Sequence, residues 1–274
     1  MLEIKPIESL KELAELKTQY FEESTAPLDG MWHFGFVPMS SHFGFYENDA
    51  LVGYCCINGD GYMLQFYLSQ DAETQAKDLF TLIAEQNSSV FGTVKGAFAS
   101  TAEPQYLSLC LDNASSVTVN ALMYQQITSS ISSAAGDLEL TLASHEQLAD
   151  FVAFAVESIG APAEWLSGYF GNLIGRGELW GYWRDGRLIA SGECRLFDEH
   201  QTQYADLGMI VAESERGLGV ATRVLSRLIT MANERGLTPM CSTENGNLGA
   251  QKAIQRAGLK PLNRLVQVEF EQNN

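Results

Sequence analysis

The sequence predicts an α/β protein made of two similar units in tandem, at residues 1–130 and 137–274. Segments with strand-like patterns alternate with amphipathic helical segments along the whole chain. Segments of the two halves also resemble each other at a spacing of about 140 residues, which is one domain length. Between the halves, the small and polar residues 129–136 read as a linker.

The internal similarity is clearest in a hairpin. Residues 44–53 align without gaps with residues 181–190, residues 79–83 align with 225–229, and Ser100-Thr101 aligns with Ser242-Thr243. A tandem repeat of one α/β unit explains all three matches. The alternative is a chance similarity between two hairpins.

In the first unit, each element is predicted from its residue pattern. Apolar residues three and four positions apart within 7–22 indicate an amphipathic helix. Glu47-Asn48-Asp49 between two β-prone runs predicts a hairpin, and Ser69 and Asp71 are candidate caps of the next helix. We expect helices at 7–22, 72–86 and near 117–126, strands at 43–46, 51–57, 62–68, 92–100 and 105–111, and an irregular aromatic stretch at 27–39.

The second unit follows a similar order. Arg184-Asp185-Gly186 predicts another hairpin, and Gly236 is a helix stop signal. We expect strands at 138–142, 179–183, 188–195, 203–211, 238–242 and 266–270, and helices at 145–156, 163–174, 222–235 and 248–257.

The second unit is organised around residues 206–222. An apolar run leads through a polar turn into Arg216-Gly-Leu-Gly-Val-Ala221 and then into a helical segment. Glycines between a strand and a helix let the backbone approach a ligand closely, and the helix dipole favours an anion. Residues 216–264 also carry eight Lys/Arg and two acids, although the chain as a whole is acidic. These features predict a phosphate cradle; the alternative is that the glycines serve only the turn.

Two motifs resemble those of the GNAT acetyltransferase superfamily. Residues 216–221 fit Arg/Gln-x-x-Gly-x-Gly/Ala, and residues 247–259 resemble Asn-x-x-Ala-x-x-x-Tyr-x-x-x-Gly-Phe. The resemblance covers residues 137–272 well and the front half faintly. It implies that each unit is a mixed, mostly antiparallel sheet flanked by helices. It also implies an acyltransferase that uses acetyl-CoA (coenzyme A).

The resemblance assigns a cofactor site to the second unit. It implies that the loop 216–222 holds the pyrophosphate, that the strand backbone at 209–211 pairs with the pantetheine, and that Asn247 contacts the cofactor. The implied site comprises Met209, Ile210, Val211, Arg216, Gly217, Leu218, Gly219, Val220, Ala221, Thr222 and Asn247. The matching turn of the front half has no glycine pair and contains Asp71 and Glu73, so we expect it to be structural and not to bind CoA in this way.

Two acids are candidate catalytic bases, because acetyl transfer needs a neutral amine. Glu193 lies in mid-strand among small and apolar residues, where partial burial would make a carboxylate a stronger base. Asp206 lies on the neighbouring strand, upstream of the backbone that would contact the cofactor. The alternatives are a salt bridge of Glu193 with Arg187 or Arg195, and a turn cap for Asp206.

The proton donor for the leaving thiolate is left open by the sequence. The tyrosine usual in the superfamily is replaced by Ile254, which cannot donate a proton. Ser242, Cys241 or a tyrosine such as Tyr182 could replace it, or the thiolate could leave assisted by water and the helix dipole. A third alternative is a protein that binds CoA without turnover.

Composition disfavours several classes of protein. The formal net charge is −17, with five Lys/Arg and 16 Asp/Glu in residues 1–136, so a nucleic acid is not expected as a partner. There is no apolar run of the roughly 20 residues that span a membrane, and no signal peptide, so we expect no membrane partner and a cytoplasmic location. The five cysteines lack CxxC spacing and are expected to be reduced, and no metal site is expected.

Together these patterns predict an N-acetyltransferase that acts by direct transfer on a small amine or amino-acid-like acceptor, as a monomer or homodimer. One alternative is a non-catalytic, CoA-binding regulatory module. Another is a protein lysine or N-terminal acetyltransferase. A nucleotide-binding role is disfavoured, because the acid and the phosphate-binding lysine of such sites are missing.

Overall fold

The computed structural model of the protein describes residues 2–85, 90–127 and 138–271, and these contain twelve strands and seven α-helices. The earlier elements are β1 (Leu2–Pro6), α1 (Ala14–Glu23), β2 (Ser41–Glu47), β3 (Ala50–Ile57), β4 (Tyr62–Leu68), α2 (Ala76–Ala84), β5 (Gly96–Ser100), α3 (Pro104–Asp112) and β6 (Ala114–Gln125). The later ones are β7 (Thr141–Leu142), α4 (Leu148–Ile159), α5 (Ala163–Arg176), β8 (Leu179–Arg184), β9 (Arg187–Leu196), β10 (Tyr204–Val211), α6 (Val220–Glu234), β11 (Thr238–Glu244), α7 (Leu248–Arg256) and β12 (Lys260–Phe270).

The chain divides into two compact units. The first contains residues 1–122 together with 263–274, and the second contains residues 123–262. The C-terminal strand therefore contributes most of its length to the first unit. The predicted linker at 129–136 lies outside the described residues, so the domain limits 1–130 and 137–274 stay a prediction.

In the first unit, β12 is inserted beside β5. The strand order is β1-β2-β3-β4-β5-β12-β6, in which β4 and β5 are parallel and β12 is antiparallel to β5. Gly96 is required at this contact, because a Cβ atom there would lie 2.0 Å from the carbonyl oxygen of Val268. A core that includes Phe66 and Phe80 packs the sheet against α2 and α3.

In the second unit, the strand order is β11-β10-β9-β8-β7, with β10 and β11 parallel and the other pairs antiparallel. Buried side chains of α4 and α5, among them Phe151 and Phe170, form the core on this sheet. On β9, a Cβ at Gly192 would lie 3.2 Å from side-chain atoms of Val224 and Leu228, so glycine allows the close approach of α6. The packing of α4, α5 and α6 on this sheet fixes the positions of β9, β10 and the start of α6.

Both predicted hairpins are confirmed. The β2–β3 turn has positive φ at Asn48 and Asp49, and the β8–β9 turn has positive φ at Asp185 and Gly186. Two consecutive residues with φ above zero match the twist of the flanking strands, and Asn, Asp and Gly adopt this conformation with least strain.

Two predicted elements are wrong. Residues 105–111 were expected as a strand but form helix α3, in which Tyr106 and Cys110, four positions apart, are buried on one face. Pro104 occupies the first helical turn, where its missing N–H has no cost. The expected helix near 117–126 is instead part of β6, since the β-branched run at 117–119 suits an extended strand beside β12.

Smaller differences concern the ends of helices. Helix α2 begins at Ala76 with Gln75 as its N-cap, and not at Ser69 or Asp71. The aromatic stretch at 27–39 contains a π-helical turn, Trp32–Phe36. Helix α6 begins two residues earlier than predicted, with Gly219 as its N-cap. None of the helices within the described residues is long and apolar enough to cross a membrane.

Candidate active site

The candidate site lies where β10 and β11 diverge. Among the described residues, the parallel ladder runs from Tyr204↔Thr238 to Asp206↔Met240 only, although β10 continues to Val211. On its other side β10 stays paired with β9. Backbone groups of residues 208–210 that point away from β9 have no strand partner among the described residues, so they are open to an extended ligand. Gly208, Met209 and Ile210 are half-buried, as expected for an accessible gap.

The predicted glycine loop follows β10 after a short 3-10 turn, Glu213–Glu215. Gly217 and Gly219 have φ of 80° and 78°, a backbone conformation in which any other residue is strained. Helix α6 starts at Val220, and no side chain of the described residues caps its N-terminus. The first four N–H groups of a helix have no intrahelical acceptor, and the helix dipole adds positive potential there. The residues at 216–219 are exposed, so this end of the helix is open to an anion.

The Arg216 side chain anchors the loop. Its guanidinium donates to the carbonyl oxygen of Val211 at 3.4 Å and to that of Ser158 at the end of α4. The neighbouring Glu215 forms an ion pair with Arg184. The turn between β10 and α6 is therefore tied to β10, to α4 and to the β8–β9 hairpin. In this arrangement Arg216 holds the backbone of the loop in place.

The two predicted bases meet on one guanidinium. Arg195 Nη1 donates to Glu193 Oε2 at 2.9 Å, and Arg195 Nη2 donates to Asp206 Oδ2 at 2.8 Å. Tyr169 on α5 completes the cluster, since its hydroxyl donates to Glu193 Oε2 at 2.6 Å and accepts from Arg195 Nη1 at 2.6 Å. Glu193, Arg195 and Asp206 are all buried. The salt bridge between Glu193 and Arg195, an alternative left open by the sequence, is thus present.

The electrostatics of this cluster follow from burial and charge. Burial, together with the charge of Glu193, raises the pKa of Tyr169 well above its ordinary value, so its hydroxyl keeps its proton. Burial alone would lower the pKa of Arg195, but the charges of Asp206 and Glu193 and the hydrogen bond to the Tyr169 hydroxyl raise it well above its ordinary value. With both carboxylates ionised, the cluster carries one negative charge in excess. A cationic group nearby would therefore be attracted to it.

The carboxylate of Glu193 lies against the backbone of β10 at Gly208. Glu193 lies opposite Gly208 in the β9–β10 ladder, and a Cβ at position 208 would lie 3.0 Å from Glu193 Oε2. Gly208 lies two residues beyond Asp206, the last residue of β10 that pairs with β11. Asp206 itself lies within the paired region and is 1% exposed. Of the two acids, Glu193 is therefore the one beside the accessible backbone.

The second motif, residues 247–259, lies on α7 and the turn after it, and β11 precedes it. Asn247 is the N-cap of α7, with its Oδ1 accepting from the Ala250 N–H at 3.1 Å. Ile254, at the position of the superfamily's tyrosine, is buried. Ser242 lies on β11 two residues past the last pair with β10, and its Oγ is buried without a hydrogen-bond partner among the described residues. An unpaired hydroxyl at this place is compatible with a ligand in the gap.

Sequence patterns do not single out Tyr169, because it lies in an aromatic helical stretch that is typical of a core. Arg195 enters only as a possible ion-pair partner. A usable signal exists in the spacing: Glu193 and Arg195 alternate on one strand, which places them on the same face. Which other residues share that face depends on the register with β10 and on the packing of α5.

The chain matches two family models in tandem. Residues 9–127 match an acetyltransferase (GNAT) domain, and residues 145–259 match the acetyltransferase (GNAT) family. The structure is similar to that of an acetyltransferase of the GNAT family from Colwellia psychrerythraea, with a TM-score of 0.94 and 56% sequence identity over 98% of this chain and 100% of that chain. The predicted resemblance and the predicted tandem of α/β units are confirmed.

More distant structures share the fold of the whole chain. A tandem GNAT protein from the clavulanic acid biosynthesis pathway has a TM-score of 0.64 at 12% identity, covering 100% of both chains. A GCN5-related N-acetyltransferase from Sphaerobacter thermophilus has a TM-score of 0.66 at 11% identity, covering 100% of this chain and 97% of that chain. No curated protein matches the chain in sequence.

Proposed function

The chain belongs to the GNAT family of acetyltransferases and is an acyltransferase, and we propose that its second unit transfers an acetyl group directly from acetyl-CoA to a small, amino-acid-like amine. The observation that carries this proposal is the placement of two features at the diverging ends of β10 and β11. One is the glycine loop at the open start of α6, and the other is the buried Glu193 carboxylate beside Gly208.

The residues at the start of α6 fit a phosphate-bearing cofactor. The N–H groups of the loop and of the first turn, at 217–222, would hold the pyrophosphate, and the strand backbone at 209–211 would pair with the pantetheine. Arg216 keeps the loop in this conformation through its bonds to the carbonyl groups of Val211 and Ser158. Acetyl-CoA supplies the acetyl group as a thioester, which an amine can attack.

Glu193 is the base in this proposal. An acceptor amine enters the site largely as an ammonium ion, and the excess negative charge of the Glu193–Arg195–Asp206 cluster favours its binding. Glu193 accepts the proton from the acceptor nitrogen, directly or through one water molecule, which leaves the nitrogen lone pair free to attack. Asp206 is a positioning residue here, since it holds the other side of the Arg195 guanidinium.

The aromatic side chains of α5 support a cationic or amino-acid-like acceptor. The rings of Trp165 and Tyr169 are stacked, with centroids 4.9 Å apart and planes inclined by 11°. Trp165 is exposed, and the hydroxyl of Tyr169 is bonded to Glu193. An aromatic face next to a carboxylate attracts organic cations. The pair therefore extends the acceptor site from Glu193 toward solvent.

Ser242 is the residue that we propose as hydrogen-bond donor to the leaving sulfur. On the diverging part of β11 its Oγ is buried and has no partner in the part of the chain that the structure describes, whereas Ile254 has no donor to offer. A serine hydroxyl is a weak acid, so it would stabilise the thiolate by hydrogen bonding, and water would deliver the proton.

Cofactor binding is tested by calorimetric titration with acetyl-CoA of the wild type and of two matched variants. Gly219→Glu and Gly236→Glu both place a glutamate at an exposed glycine of positive φ with open space around it, but at opposite ends of α6. We expect binding to weaken by more than about tenfold in Gly219→Glu only, because charge and bulk then occupy the anion end of the helix. Loss of affinity in both variants, or no binding by the wild type, would contradict the site.

Transfer is tested by thiol release from acetyl-CoA with free amino acids, small aliphatic amines and lysine-containing peptides as acceptors. The proposal expects saturable turnover with at least one small amine. Turnover with peptides alone would instead favour a protein acetyltransferase. Binding of acetyl-CoA without turnover on any acceptor would favour a regulatory module, the alternative to which Ile254 points.

A further inference from the structure

The first unit contains a cleft where its own parallel strands diverge. Among the described residues, β4 and β5 pair only at Tyr62↔Gly96 and Met63↔Ala97, and β4 continues to Leu68. Beyond this point a cleft of about 450 Å³, counting space open to solvent, separates the end of β4 from the start of α3. Its walls include Tyr20, Glu23, Phe66, Tyr67, Glu103 and Tyr106. By order of elements, it corresponds to the gap between β10 and α7 in the second unit.

In the first unit, the turn that precedes α2 already holds a carboxylate of the protein itself. The turn that leads into α2 donates the Glu73 and Thr74 N–H groups to the two carboxylate oxygens of Glu47, both at 2.8 Å. Hydrogen bonds from the Thr74 side chain and the Glu73 N–H lower the pKa of Glu47, which keeps the carboxylate ionised. A phosphate would have to displace this internal carboxylate. The ligand of the cleft is therefore expected to be of a different chemical class.

The walls of the cleft are aromatic and acidic. Of the six lining residues named above, four are tyrosine or phenylalanine and two are glutamate. Among the described residues that line it, none is lysine, arginine or histidine. Aromatic faces and carboxylates both attract an organic cation, and they do so most strongly in a site shielded from water.

Glu103 is fixed at the base of the cleft. It precedes Pro104 as the N-cap residue of α3 and is only 8% exposed. One carboxylate oxygen accepts from the Tyr20 hydroxyl, and the other accepts from the Ser100 N–H at 2.7 Å. These two donors leave lone pairs on both oxygens for a further partner. Nearer the surface, Glu23 accepts from the Tyr67 hydroxyl at 3.1 Å.

We propose that this cleft of the first unit binds an organic cation, an amine or quaternary ammonium that bears a small apolar group. The cationic head lies between Glu103 and Glu23, and the apolar part packs on the rings of Phe66 and Tyr106. The site is separate from the acetyl-CoA site of the second unit, and the proposal does not depend on the proposed transfer reaction. Burial raises the pKa of Glu103 to about 7, so a cation that favours its ionised form would compete with a proton.

The test uses phenyltrimethylammonium, which has no N–H group and so cannot be an acetyl acceptor. Its neutral isostere, 2-phenyl-2-propanol, is titrated in parallel by calorimetry at pH 8 with the full-length protein. We expect saturable binding of the cation, at least about tenfold tighter than that of the alcohol. Equal affinity for the two probes, or no saturable binding of the cation, would overturn the proposal.

Variants locate the binding. In the double variant Glu23→Gln, Glu103→Gln, we expect the affinity for the cation to fall by at least about tenfold. Glu15→Gln, an exposed acid on the same helix as Glu23, and Gly219→Glu of the second unit should both bind like the wild type. If the double variant does not fold, Glu23→Gln alone carries the test, with an expected loss of at least about threefold. Unchanged affinity in the folded Glu variants would place the cation elsewhere and overturn the proposal.

Discussion

Glu193 lies directly opposite Gly208 across the β9–β10 ladder, and its carboxylate occupies the space beside the backbone that a side chain at position 208 would need. Because Gly208 has no side chain, the Glu193 carboxylate can approach the backbone of β10 closely. Beyond this residue, β10 runs along the gap between β10 and β11. Arg195 and Tyr169 then fix its orientation from the same side of the sheet.

Glu193→Gln is expected to lower kcat by about 10²–10⁴-fold, the range over which a positioned base contributes. Affinity for acetyl-CoA should stay unchanged, because the glutamate does not belong to the glycine loop. The variant should fold, since Arg195 keeps its ion pair with Asp206. Steady-state kinetics and calorimetry together separate the two effects.

The control variants for this prediction are Glu164→Gln, an exposed acid on α5, and Asp206→Asn. The first should behave like the wild type. In Asp206→Asn, kcat/KM should still fall toward acidic pH, because the proposed base is still present. In Glu193→Gln, this fall toward acidic pH should be absent. If Asp206→Asn alone abolished that limb, Asp206 and not Glu193 would be the base.

Replacement of Arg216 tests whether its guanidinium anchors the loop. It donates to two backbone carbonyl groups, which the compact ammonium of lysine cannot reproduce in the same geometry. Arg216→Lys is therefore expected to weaken acetyl-CoA binding about as much as Arg216→Ala, by roughly tenfold or more. Titration calorimetry measures both, with Arg227→Ala, on the helix α6 that follows the loop, as the control. Wild-type affinity in Arg216→Lys would show that the positive charge alone matters.

Glu103 is expected to make the protein less stable as pH rises. Its pKa is raised from 4.5 to about 7 by burial, so between these values the folded state holds a proton that the unfolded state has lost. The stabilisation is complete below pH 4.5 and is lost as pH passes 7, a change of about 3 kcal/mol.

The measurement for this prediction is urea unfolding of wild type and Glu103→Gln from pH 5 to pH 8. The amide cannot ionise, and its oxygen and nitrogen can still meet the Ser100 N–H and the Tyr20 hydroxyl oxygen. All other groups titrate in both proteins, so the difference between them isolates Glu103. A difference that does not change with pH would contradict the prediction.

Gly96→Ala is expected to destabilise the first unit severely, by about 3 kcal/mol or more. The new methyl group would lie 2.0 Å from the backbone oxygen of Val268, and a backbone atom cannot rotate away. Strand β12 would have to move from β5. Gly59→Ala is the control, because nothing lies within 4 Å of a Cβ there. Equal midpoints of thermal unfolding for the two variants would show that this strand contact does not hold the unit together.

The sequence by itself determined the features that depend on a few adjacent residues. The two hairpin turns and the glycine loop before α6 follow from the φ angles that Asn, Asp and Gly tolerate. The alternation of strands and helices follows from the spacing at which hydrophobic residues recur along the chain. The family motifs and the repeat within the chain were sufficient for the tandem fold. Where local patterns were ambiguous, as in α3 and β6, packing on neighbouring elements overruled them.

Only the tertiary structure decided which distant residues meet. Strand β12 joins β5, more than 160 residues earlier, and Tyr169 reaches Glu193 from a helix 24 residues away. The Glu193–Arg195–Asp206 cluster depends on the register between two strands, and the cleft beside Glu103 depends on where β4 and β5 separate. Such contacts depend on strand register and side-chain packing across the whole unit. Local sequence patterns do not encode them, because their free energy arises only when remote segments come together.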